Sequence, residues 1–176
     1  MRRRALLGTV ASSTTLLAGC SGTSSTTVSI DSGFATARPI DDPVVRAGLD
    51  SDSDQYVWIR LLNAGDSLPT TDTQAGKQLS SAIAEIGDEE FGLLTNLRTA
   101  GAATAYHWPD QTSVVDGRLE IELRRESAPE PVETDEAVGY AFVRYEVDGD
   151  VPKGGTVVFP SGATMTVGGA DQSGWL

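Results

Sequence analysis

Apolar and polar residues alternate with a period of two along much of this chain, and that pattern predicts strands. It is cleanest over residues 118–125. There Leu119, Ile121 and Leu123 fall on one side and Glu120, Glu122 and Arg124 on the other, the signature of a strand with one wet face. Residues 138–147 differ, with Ala141, Val143, Tyr145 and Val147 on one face and Tyr140 and Phe142 on the other. A strand apolar on both faces is expected at the centre of its sheet. Residues 55–62, QYVWIRLL, are dense in aromatic and β-branched side chains. Shorter strands are predicted at 27–30 continuing through 34–38, and at 44–49, 91–99 and 104–108. Residues 156–159 and 163–167 read as a hairpin turning at Pro160-Ser161-Gly162. One segment has helical spacing instead. Over 73–86, Leu79, Ala82, Ile83 and Ile86 share a face, Thr71 or Asp72 is placed to cap the start, and Gly87 to end it.

Many short strands with a single helix predict a mainly β fold, an immunoglobulin-like two-sheet β-sandwich with one helix. The alternative is an α+β fold, an open antiparallel sheet with the helix on one face. The Cys–Trp–Cys mark of true immunoglobulin domains is missing, so the expectation concerns architecture only. The β-rich domain is expected over 28–168, with 169–176 as a loose tail.

The first 27 residues follow neither period. Arg2, Arg3 and Arg4 precede an apolar run, residues 5–19, diluted by Ser12, Ser13, Thr14 and Thr15. About 15 residues fall short of the ~20 a membrane-spanning helix needs, so the run reads as an export signal over 1–19. Arg3-Arg4 before Ala5-Leu6-Leu7 fits a twin-arginine signal; a general secretory signal with a basic start is the other route. Leu17-Ala18-Gly19-Cys20 resembles the lipobox of prokaryotic lipoproteins. That resemblance implies lipidation of Cys20, cleavage just before it, and an acyl anchor on the outer face of the membrane. Cys20 is the only cysteine, so it has no disulfide partner within the chain. Residues 21–27 then read as a flexible tether.

Charge adds habitat. The chain carries 13 basic and 25 acidic residues, a net −12, and loss of the three signal arginines takes this to −15. Lysine is nearly absent, with only Lys77 and Lys153. An acidic, lysine-poor chain rich in small apolar residues resembles proteins of halophilic archaea, and twin-arginine lipoproteins are frequent there. At low salt the carboxylates repel over ~30 Å, and molar salt cuts that range to ~3 Å. The domain is therefore expected to need high salt to fold. The same charge disfavours nucleic acid, because there is no basic patch to release counterions.

Candidate chemistry is sparse. Asp50, Asp52 and Asp54 have the spacing that opens an EF-hand loop, but the sixth position is Gln55 and the twelfth is Leu61. They are weak metal candidates, read as a solvated acidic turn. His107, the one histidine, is expected at a strand end with its ring bonded to a backbone carbonyl. Ser161 lacks the Gly-x-Ser-x-Gly setting, and no phosphate-binding glycine loop occurs. A pair such as Glu89 with Glu146 is one of many that 25 acids allow. Arg98, Arg124, Arg125 and Arg144 would form a basic ladder, or pair across strands with Glu120, Glu122 and Glu146. No cofactor is implied and no enzyme is expected. The function expected is a lipid-anchored extracytoplasmic module that binds a protein or glycan of the cell envelope. The alternatives are an accessory subunit of an envelope transporter or redox complex, and a small carboxylate- or histidine-dependent hydrolase.

Overall fold

A computed structural model of the chain describes residues 25–49, 54–128, 132–168 and 174–175. The elements in order are β1 (Ser25–Pro39), β2 (Val57–Asn63), α1 (Gln74–Ala84), β3 (Glu90–Ala100), β4 (Ala105–Val115), β5 (Arg118–Ser127), β6 (Glu136–Asp148), β7 (Gly154–Val158), β8 (Thr164–Gly168) and β9 (Gly174–Trp175). The fold is mainly β with one α-helix. The strands follow one another in a single order, β8-β7-β5-β4-β1-β6-β3-β2-β9. All pairings are antiparallel except β5 with β7. The two ends of this order approach each other, because β8 lies beside β2 and β9. The result is a mixed sheet nearly closed into a barrel, and the expected division into two separate sheets is not confirmed. The reason is β1: Ser25 and Thr26 pair with β4, and residues 27–39 pair with β6, so one strand joins both halves. β1 also begins within the stretch read as tether.

Two apolar clusters flank the central strands. The first fills the barrel and draws Ile59, Phe91, Leu93, Leu119, Ile121, Val143, Tyr145 and Val157 from both halves. Phe91 and Tyr145 stack within it, ring centres 4.7 Å apart and 13° from parallel. The second lies on the outer face of β2, β3 and β6, where Leu79, Ile83 and Ile86 pack with Trp58, Leu94, Tyr140 and Phe142. This explains why β6 is apolar on both faces: one set of side chains meets the barrel interior and the other the helix layer. The strand lies between β1 and β3, the central position its sequence predicts. β5, with no described element over its outer face, keeps Leu119, Ile121 and Leu123 buried and Glu120, Glu122 and Arg124 exposed.

The helix forms as its spacing requires, with a change of cap. Thr73, one residue later than expected, accepts a hydrogen bond from the Gly76 N–H at 3.1 Å. Thr71 instead hydrogen-bonds the Thr73 hydroxyl and the Pro43 carbonyl, tying the helix start to the 40–49 segment. That segment is not the expected strand. It makes a single bridge, Val45 to Thr70, and buries Val44, Val45 and Leu49 as a lid on the second cluster. Residues 174–175, expected in a loose tail, pair with Trp58 and Ile59.

Strand β4 is longer than its predicted 104–108. It runs to an Asp116-Gly117 turn, both residues at positive φ (50° and 73°); such a turn matches the twist of a two-residue hairpin. The start of β4 crosses the inner face of β3 and β6 at close range. The Thr95 hydroxyl donates to the His107 carbonyl at 2.8 Å. A Cβ on Gly139 would lie 1.9 Å from the Ala105 carbonyl oxygen. Only glycine lets the two halves close there.

Candidate functional site

β4 and β5 are joined by a tight turn and pair along their length with one bulge, so alternate side chains from both strands line up on one outer face. Trp108 lies opposite Arg124, and Tyr106 opposite Glu126. A bulge between Pro109 and Gln111 re-aims the strand and leaves Asp110 exposed. The outcome is a connected polar and aromatic cluster. The Tyr106 hydroxyl donates to Glu126 Oε2 at 2.7 Å. Arg124 donates to Glu126 Oε1 at 2.5 Å and to Asp110 Oδ1 at 2.9 Å. Tyr106 and Trp108 meet edge to face, with ring centres 6.2 Å apart. Both rings are partly exposed.

The cluster's electrostatics follow from these contacts. The hydrogen bond from Tyr106, then that from Arg124, holds the Glu126 carboxyl below its ordinary range. Burial first, then the bond to Glu126, pushes the Tyr106 hydroxyl up to about 12. Arg124, held by two carboxylates, is raised in turn. Glu126 therefore stays ionised and Tyr106 stays a donor, which fixes both side chains in place.

Further along the same face lies a trough of about 430 Å³, lined by Gln111, Ser113, Glu120, Glu122, Thr156 and Val158 with neighbouring backbone. Its walls are hydroxyls, an amide and carboxylates from β4, β5 and β7. The face thus offers partly exposed rings at one end and a row of hydrogen-bonding groups at the other. Such a surface can stack on a flat apolar ligand face and bond its polar edge.

The residues singled out in the sequence are distributed differently. Cys20, Arg3, Arg4, Asp50 and Asp52 lie outside the described residues, and Asp54 is exposed just before β2. Among the described residues, no three His, Cys, Asp or Glu side chains are grouped to hold a metal ion. His107 is not at a strand end but within β4, buried and edge-on to Phe159 at 5.4 Å. Its ring was expected to bond a backbone carbonyl, but Nδ1 has no hydrogen-bond partner. Burial first, then nearby Arg125, pushes its pKa down to about 4, so the ring is neutral. Ser161 sits in the β7–β8 turn, where Oγ accepts from the Ala163 N–H at 3.3 Å.

Three of the four arginines are seen in ion pairs with partners other than Glu120, Glu122 or Glu146, Arg124 with Glu126 and Asp110 as above. Arg98 meets Glu136 at 2.6 Å, and Arg144 meets Asp31 at 2.6 Å and Glu85 at 3.3 Å. Glu89 and Glu146 do come together, lining an open acidic hollow with Asp88 and Glu90. The Tyr106–Glu126–Arg124–Asp110 cluster was not foreseen. The Asp116-Gly117 turn sets the pairing only as far as Gln111 with Glu122; the bulge at Asp110 then shifts it by one residue, and that shift, which leaves no mark in the alternation, places Trp108 opposite Arg124 and Tyr106 opposite Glu126.

Compared with models of protein families, with curated proteins and with solved structures, the chain matches none. No helix among the described residues is long and apolar enough to cross a membrane.

Proposed function

We propose that this chain is a lipid-anchored module on the extracytoplasmic face of a cell membrane, and that it binds a glycan of the envelope through the outer face of β4, β5 and β7. Leu17-Ala18-Gly19-Cys20, with Arg3-Arg4 upstream, supports the location. Two acyl chains on Cys20 would hold the protein firmly, at about 0.8 kcal/mol per buried CH₂. The flattened barrel is read as a sandwich-like variant, a rigid platform set off the lipid.

The observation that carries the binding role is that Tyr106 and Trp108 stand on the same face of β4 and β5 as the polar trough. A sugar ring has an apolar face and a hydroxyl edge. The rings suit the face, while Gln111, Ser113, Glu120, Glu122 and Thr156 suit the edge. The carboxylates and the mature chain's net −15 favour neutral over sulfated or uronic sugars. We read the module as a binder and not an enzyme.

Two measurements test this. Intact mass of the protein from its native membrane is expected to show a chain starting at a diacylated Cys20; an unmodified amino terminus refutes the anchor. Titration with maltoheptaose and chitohexaose in molar salt is expected to quench tryptophan emission, and the paired change Gln111→Ala with Glu122→Ala is expected to weaken binding about tenfold. Binding of a sulfated glycan in preference, or equal binding by the double variant, refutes the glycan site.

A further inference from the structure

The polar face does not stop at the trough; it continues onto β8. Register carries two rows of side chains across four neighbouring strands. In the first, Ser113 of β4 lies opposite Glu120 of β5, Glu120 beside Thr156 of β7, and Thr156 opposite Thr166 of β8. The second, two residues along, is Gln111, Glu122, Val158 and Thr164. Between the rows, Ile121, Val157 and Met165 are buried in the barrel, so both rows stand on the outer face.

Seven of these eight side chains carry hydrogen-bonding groups. Among the described residues, none of the seven makes a side-chain hydrogen bond or an ion pair. The neighbouring cluster is the reverse case, because Tyr106, Arg124, Glu126 and Asp110 are bonded to one another. The rows therefore keep their bonding capacity for something outside the fold. Trp108 follows on β4 across the bulge at Asp110, beside the β4 end of the rows.

We propose that the two rows flank a lane for an extended, unbranched chain of neutral β-linked sugars, laid across the strands with one sugar over each of β4, β5, β7 and β8. The proposal rests on the glycan reading above and adds the shape and length of the ligand. Neighbouring strands are about 4.8 Å apart, close to the advance per sugar in an extended β-1,4-linked chain. Four strands thus offer four sugar positions over roughly 14 Å, each flanked by a hydrogen-bonding group. Glu120 and Glu122 accept from sugar hydroxyls over β5, and the hydroxyls of Thr156, Thr164 and Thr166 serve the positions over β7 and β8. An α-1,4-linked chain curves, so it leaves the lane after the first positions. The ligand carries no charge, so molar salt leaves this recognition in place.

The probes are cello-oligosaccharides of two to five sugars, with maltopentaose as the same sugar in a curved chain. Each is titrated by calorimetry into the mature chain in molar salt. Affinity is expected to rise at least about tenfold from two sugars to four and to change little at five. Cellopentaose is expected to bind at least about fivefold tighter than maltopentaose. The paired change Thr156→Val with Thr166→Val removes two hydroxyls and keeps residues suited to strands, so it is expected to melt with the parent. It is expected to bind cellotetraose about as weakly as the parent binds cellobiose, with cellobiose itself unaffected. If this variant does not fold, the length series and the linkage comparison on the parent decide. Equal affinity for two sugars and four, equal affinity for the two pentasaccharides, or undiminished cellotetraose binding by the folded variant overturns the lane and leaves the glycan reading standing. Binding of none of these probes also overturns the lane, and if maltoheptaose and chitohexaose fail as well, the glycan reading falls with it.

Discussion

The two halves of this barrel solve burial differently. In the half made of β2, β3 and β6, both faces are covered, one by the barrel interior and one by α1 with the 40–49 segment. Seven consecutive residues of β3, from Phe91 to Leu97, are buried, and β6 is similar from Ala137 to Val143. In the half made of β4, β5, β7 and β8, only the inner face is covered by described residues, and β5 alternates between exposed and buried positions over residues 118–124. Side chains in the first half are committed to packing. Those on the outer face of the second are free to serve a ligand, and the aromatic–ionic cluster and the trough both lie there. On the function proposed above, the difference separates a structural half from a working half within one sheet.

The junction between the halves is where the largest effect is expected. A side chain at Gly139 has no room, because its first carbon would sit 1.9 Å from the Ala105 carbonyl oxygen. Backbone on one side and the packed β3–β6 ladder on the other leave no easy relief. Gly139→Val is expected to cost about 3–5 kcal/mol or to prevent folding. By contrast, Glu122→Ala on the outer face of β5 is expected to stay within about 0.5 kcal/mol of the parent. Guanidinium denaturation in molar salt checks both. Equal effects at the two positions would remove the distinction between the halves.

What the chain announced in advance follows the same division. Where one face is wet, period two is visible, so β5 and its exposed Glu120, Glu122 and Arg124 were legible. Where both faces are buried, composition spoke instead, and Tyr140, Phe142 and Tyr145 marked β6 as central. The helix was legible through Leu79, Ile83 and Ile86. The 40–49 segment misled because Val44, Val45 and Leu49 are apolar in the manner of a strand, while their burial comes from covering the helix layer, a tertiary demand that local pattern does not carry. Closure of the sheet was equally hidden. It depends on β1 changing partners after Thr26 and on Gly139 admitting β4, and neither event leaves a periodic trace. The Tyr106–Glu126–Arg124–Asp110 cluster needed the register beyond the bulge at Asp110, which neither the Asp116-Gly117 turn nor the alternation encodes.

His107 sharpens the comparison because it belongs to the working strand yet faces the packed interior. The folded protein keeps its ring neutral down to about pH 4, whereas the unfolded chain titrates near the ordinary 6.5. Between those values the unfolded state takes up a proton that the folded state refuses. Stability from this residue is therefore fully present above about 6.5 and falls as the pH drops toward 4, by about 3 kcal/mol in all. His107→Leu is expected to flatten the limb between pH 6.5 and 5, above the range where carboxylates dominate. It is expected to cost little at pH 7, since Nδ1 has no partner to lose. Denaturation midpoints at half-unit steps of pH would show it, and an unchanged slope in the variant would mean that the ring does not govern this window.

The smallest effect is expected from the ion pairs, and it distinguishes the halves once more. Arg144 is partly buried on β6 and bridges Asp31 of β1 to Glu85 at the end of α1, with Glu90 at 3.8 Å. It ties β6 to β1, to the end of α1 and to the start of β3, and its contact holds the Asp31 carboxyl below the ordinary range. Arg124 is exposed on the working half and binds only residues of β4 and β5. Exposed pairs contribute about 0–1 kcal/mol and are screened by salt, while a partly buried arginine joined to several carboxylates keeps more of its attraction. Arg144→Met is thus expected to cost about 1 kcal/mol in molar salt, and Arg124→Met less than about half of that. Losing Arg124 should appear instead in the ligand titration, because Glu126 and Tyr106 lose the group that aligns them. If Arg124→Met proved the more destabilising change while leaving binding untouched, the roles assigned to the two halves would have to be exchanged.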